Sequence, residues 1–210
     1  MTNLKKCVLF LNLIFFSFFV LALSSCDSEI SVKSLKDGTF SVRFDSAVGK
    51  IFSDTLSAFS GSEDGFVFNA EEIKNSMENL GFESVLVSVS SGENISISAK
   101  IPSSENIFTK SGILESKKIV LSKNSLFEFY KNCPELFKSY LDLFMAPVFM
   151  EENSTSEEWL SLIGEVYGEP LKNEIASSKV KISFENEKGS VSKKTVSLAE
   201  LFTLQQKIEF

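Results

Sequence analysis

The chain has 210 residues, with 21 basic and 28 acidic side chains, a formal charge of −7 and no histidine. The lack of histidine excludes histidine-based catalytic triads and histidine-ligated zinc or haem. The acidic balance argues against nucleic acid, whose phosphates demand Lys/Arg patches.

In chain order, Lys5 and Lys6 precede an apolar run from Cys7 to Leu23, which ends in Leu23-Ser24-Ser25-Cys26. A basic segment, an apolar segment and small residues before a cut form the pattern of an export signal. Leu23 and Cys26 stand where a lipobox has its leucine and cysteine, so residues 1–26 resemble a bacterial lipoprotein signal. The resemblance implies removal of residues 1–25, a diacylglycerol on the Cys26 sulfur and acylation of the freed amine. It also implies a lipid-anchored address in the cell envelope, facing the periplasm or the exterior. Two or three acyl chains hold a protein on a bilayer essentially for good. The alternatives are an uncleaved anchor, although the run is short for a spanning helix of about 20 residues, and a plain secretory signal.

With the signal gone, 19 basic and 28 acidic residues remain, a formal charge of −9. That charge argues against electrostatic docking on anionic headgroups, so the body is expected to reach its membrane through the lipid or through apolar surface. Cys133 is then the one cysteine neither removed nor lipidated. A disulfide within the body and cysteine-ligated zinc or iron–sulfur clusters are excluded, and no cofactor is expected. Stability must come from packing, led by the 16 phenylalanines outside the signal.

Residues 26–36 read as the lipidated N-terminus and a tether, with a first strand suggested by Ile30 and Val32, and residues 37–210 as one α+β domain. Thr39 to Asp45 alternates as a half-buried strand. Asp45 or Ser46 is placed to cap a helix carrying Ile51, Phe52, Leu56 and Phe59. Asn69 is placed to cap a second helix, boxed by Glu72 and buried through Ile73 and Met77. A hairpin follows, with Val85, Val87 and Val89 opposite Ile95, Ile97, Ala99 and Ile101. Its intervening serines predict a sheet covered on one side only. Residues 103–116 read as loop, and Lys117 to Ser122 as a short buried strand. Ser125 and Glu128 match a capping box, opening a helical region that Pro134 interrupts and that reaches Met150. Thr155 and Glu158 open another helix, closed by Gly168. A second hairpin (Val180 to Val196), a short helix capped by Ser197 and Glu200, and a terminal strand near Lys207 to Phe210 complete the order. The expected fold is antiparallel hairpins packed on a helical middle segment.

The segment from Leu126 to Met150 carries the main functional candidate. Its apolar residues wrap more than the single stripe a core-facing helix needs. It reads either as a helix buried on several sides or as an apolar binding surface built from Phe137, Phe144, Met145, Val148, Phe149 and Met150. Cys133 reads as a structural thiol with no base to activate it. Glu151, Glu152, Glu157 and Glu158 lack calcium-loop spacing and suit a helix N-terminus. Ser178/Lys181 and Ser190/Lys193 match Ser-x-x-Lys beside predicted strands, and chance accounts for both. The functional expectation is a lipid-anchored, non-enzymatic envelope protein that binds an apolar ligand or a partner protein. A structural or assembly subunit is the first alternative, and a carboxylate hydrolase using Asp142 the second.

Overall fold

The computed structural model describes residues 28–47, 49–60, 69–90, 94–102, 106–115, 117–133, 138, 141, 142, 145, 148 and 154–210, without the side chains of 56–60. Cys26, Phe137, Phe144, Phe149 and Met150 lie outside the described residues.

Among the described residues, six strands form one mixed sheet. They are β1 (Ser28–Ser34), β2 (Phe40–Ala47), β3 (Glu83–Ser90), β4 (Asn94–Ile101), β7 (Lys179–Glu185) and β8 (Val191–Ser197). Their order across the sheet is β3-β4-β2-β1-β7-β8. Three antiparallel hairpins lie side by side, and the one parallel seam joins β1 to β7, with Ile30 opposite Ile182 and Val32 opposite Phe184. A small second sheet pairs β5 (Leu114–Glu115) with β6 (Lys118–Leu121), and β6 with β9 (Ile208–Glu209).

The expected tether is for the most part a strand. β1 lies in the middle of the sheet, hydrogen-bonded on both sides, so the fold includes Ser28–Ser34 and does not begin at residue 37. Serines at both ends of its inner face (Ser28 and Ser34) disguise the alternation. The hydroxyls of Ser28 and Ser46 share a hydrogen bond of 2.9 Å inside the fold, which satisfies both at the buried position.

The helices described over their full length are α1 (Lys50–Ser60), α2 (Ala70–Asn79), α3 (Ile107–Lys110), α4 (Lys123–Asn132), α5 (Ser156–Tyr167), α6 (Glu169–Ser177) and α7 (Leu198–Thr203). Several of their ends obey local capping chemistry. Thr155 with Glu158 and Ser197 with Glu200 form reciprocal boxes, as the sequence predicts. Asn69 accepts from the backbone N–H of Glu71 and Glu72, but Glu72 does not complete a box. Ser122 and Ser125 cap α4, one turn before the predicted start. Asp45 and Ser46 cap nothing, because β2 continues through both to Ala47. α1 takes its cap from a distant residue instead. The Glu174 carboxylate of α6 accepts from the N–H of Phe52 at 2.9 Å and of Ile51 at 3.3 Å. Gly168, at φ +93°, ends α5 and starts α6 in a conformation that suits glycine.

One apolar core fills the space between the inner sheet face and the helices, with Phe44, Phe52, Phe129, Phe184 and Phe202 almost wholly enclosed. No helix among the described residues is long and apolar enough to cross a membrane.

Candidate apolar cavity

The core does not close completely. A cavity of about 110 Å³ lies between the inner sheet face and the layer above it. Its floor is Ile30 and Val32 of β1, Val42 and Phe44 of β2, Ile101 of β4 and Ile182 of β7. The period of 2 along a strand puts these side chains on one face, and the register of β1 with β2 and β7 brings them together. Phe82, Phe108 and Ile113 form one wall, with Phe108 packed against Phe82 at 5.7 Å and against Phe129 at 5.0 Å between ring centres. The small sheet, α4, α7 and Met145 supply the roof. Every described lining side chain is apolar, and all are buried except Ile30, Phe108 and Leu121, which are half-buried. An apolar space of this kind stays dry, because water there finds no hydrogen-bond partner.

Of the predicted binding residues, two are described. Met145 lines the cavity, and Val148 is buried in the core without reaching it. Both lie on one helical stripe with Leu141, while Asp142 beside them faces solvent. Leu141, Met145 and Val148 are thus buried, and Met145 also borders a void. The sheet floor was missed. Its residues are the alternating positions of predicted strands, and nothing in a strand pattern marks where packing will leave a gap.

Of the other candidates, the described ones make local contacts, and Glu151 and Glu152 lie outside the described residues. Cys133 is buried, and that burial pushes its thiol up to about 12, slightly opposed by the charge of Lys138. At neutral pH it is a protonated, small apolar side chain. Asp142 accepts a hydrogen bond from the Tyr130 hydroxyl at 3.2 Å at the surface. Glu158 is held below the usual glutamate range by hydrogen bonds from the Thr155 backbone and hydroxyl. Ser178 is buried and donates to the Glu174 carbonyl at 2.7 Å, closing α6. The Ser190 N–H donates to Asn186 within the β7–β8 turn. No group of three or more Cys, Asp or Glu among the described residues is placed to hold a metal ion. A second, polar depression lies between β8 and α7, but its Glu200 is engaged in capping α7.

No family model, curated protein or solved structure matches this chain.

Proposed function

We propose that this chain is a lipid-anchored protein of the bacterial cell envelope, attached through Cys26, whose body binds a slender apolar ligand and performs no catalysis. The observation that carries the reading is the cavity between sheet and helices, whose described lining is apolar throughout. At about 24 cal/mol per Å³, an empty cavity of 110 Å³ costs about 2–3 kcal/mol. Larger side chains at Val32 or Val42 would remove that cost, so a sequence that keeps valine there is consistent with space reserved for a guest. Engineered apolar cavities of roughly 150 Å³ take up benzene or xenon, so this one suits a narrow chain end and not a fused ring system. The anchoring half of the proposal rests on the lipobox pattern of residues 1–26.

The test is titration of the purified body with cis-parinaric acid, a fluorescent acyl chain. Saturable binding is expected, and Val42→Phe should abolish it while keeping or raising the melting temperature. Met145→Trp, which fills the cavity from the opposite side, guards against a folding failure of the first variant. Binding that survives both fillings, or no binding by the unaltered protein, would sink the reading.

A further inference from the structure

The position of β1 has a consequence for how the body meets the membrane. Only Asp27 lies between Cys26 and Ser28, two peptide steps that reach at most about 7 Å. Ser28 cannot give way to lengthen that reach. It is fully buried, bonded to Ser46, and starts a strand paired on both sides. A sheet of six strands is about 24 Å wide, so its half-width exceeds the reach. A bilayer tied at Cys26 is therefore in contact with the body. The inner side of Ser28 is buried, which leaves the outer face of the sheet and its adjoining edge.

The charge distribution selects that outer face. Its basic side chains are Lys33, Arg43, Lys100, Lys179, Lys181 and Lys193, against four acidic ones, Glu29, Asp45, Glu83 and Glu185. Lys33 pairs with Glu185 and Arg43 with Asp45, and over the whole face the basic side chains outnumber the acidic ones by two. The seven helices described over their full length carry the opposite balance, eleven acidic residues to six basic. Between its charges the outer face carries short hydroxyl side chains such as Ser31, Ser98 and Ser183. It is polar with a basic excess, while the body as a whole is acidic.

We infer that the outer face of the six-stranded sheet lies on the headgroups of an anionic bilayer, with the helical layer and its cavity turned away. This rests on the proposed anchoring through Cys26. Lys and Arg side chains near an anionic surface are attracted within a Debye length, and the short link keeps this face within that distance.

The experiment uses the full lipidated protein in phosphatidylcholine–phosphatidylglycerol vesicles carrying a headgroup nitroxide. A fluorophore is placed in turn at Ser88→Cys and Lys193→Cys on the outer face, and at Leu162→Cys on the exposed side of α5. Buried Cys133 does not compete for the label. Quenching at the two sheet positions is expected to exceed that at Leu162 several-fold. It should fall when Lys179→Glu and Lys181→Glu are combined, and when a Gly/Ser linker of about 15 residues is inserted before Ser28. Equal or stronger quenching at Leu162, or none at any site, would overturn the inference. Mass spectrometry of the N-terminus separates that result from failure of the anchoring itself. An unmodified Cys26 would refute the anchor, whereas a lipidated Cys26 with an unquenched sheet would refute only the docking.

Discussion

The two faces of the six-stranded sheet come from the same strands, one residue apart, and they do different work. The inner face carries Phe44, Ile97, Val180 and Phe184, all at most 2% exposed. The outer face carries serines and charges. Its large apolar exceptions are Leu86 and Val191 on the two edge strands, 70% and 51% exposed. On the inner face, energy follows from apolar area removed from water and from how well it packs. On the outer face, ion pairs such as Arg43–Asp45 lie in water and contribute little to stability. The difference teaches that the inner face holds the fold, while the composition of the outer face is free to answer to whatever it meets.

The sharpest way to break this comparison is to truncate one residue on each face. Phe44→Ala on the inner face should cost about 3–5 kcal/mol, since the lost ring leaves a hole that would merge with the existing cavity. Ser98→Ala on the outer face of neighbouring β4 should stay within about 0.5 kcal/mol. Urea denaturation midpoints of the two variants give the contrast directly. Similar costs would mean that the outer face is covered by something that helps hold the fold. The next largest effect concerns the polar pair on the inner face. Ser28→Ala and Ser46→Ala should each cost about 1–2 kcal/mol, and the double variant less than their sum, because the two hydroxyls satisfy each other. A strictly additive cycle would show that they do not depend on one another.

The same contrast explains what could be read in the sequence. The hairpin of β3 and β4 was legible because both strands alternate cleanly and a short turn joins them. The boxes at Thr155 and Ser197 were legible because all their partners lie within four residues. The box at Ser125 was misplaced because Ser125-x-x-Glu128 and Ser122-x-x-Ser125 are both plausible locally. Only the packing of Leu126 and Phe129 selects the earlier one. Strand β1 was half legible through Ile30 and Val32, and its central place was not. Its parallel neighbour β7 lies about 150 residues away, and no local pattern encodes such a pairing. The Glu174 cap of α1 escaped for the same reason, being 122 residues from Phe52. The cavity was least legible of all, since an unfilled volume depends on the summed shapes of distant side chains.

Smaller effects sharpen the picture at the helical layer, where the acidic charge gathers. Ser197→Ala should cost about 1 kcal/mol by removing the α7 cap. Hydrogen bonds from Ser197 hold the Glu200 carboxyl below its usual value of 4.5. A carboxyl lowered in the folded state stabilises it above that value, and the contribution is lost as pH falls through the folded pKa. The acid limb of the wild-type stability profile should therefore be steeper below about pH 4.5 than that of Ser197→Ala. Parallel limbs would show that the reciprocal box is not formed in solution.

Glu72 gives the weakest effect, with the opposite sign. Burial raises its carboxyl above the usual 4.5, and one of its oxygens is enclosed without a hydrogen-bond partner. A carboxyl raised in the folded state favours folding while it is protonated, and that advantage is lost as pH rises through the folded pKa. At neutral pH the ionised Glu72 thus opposes folding, offset in part by its place in the first turn of α2, where a negative charge suits the helix dipole. Glu72→Gln removes the ionisation and keeps the shape. It should raise stability at pH 7 by less than about 1 kcal/mol and leave it unchanged near pH 4, measured by thermal unfolding at the two values. An exposed carboxyl on the outer sheet face provides the control, since Glu29→Gln removes a charge that water already solvates. If Glu29→Gln gained as much as Glu72→Gln, relief of the chain's overall negative charge would account for both, and burial would not be what distinguishes Glu72.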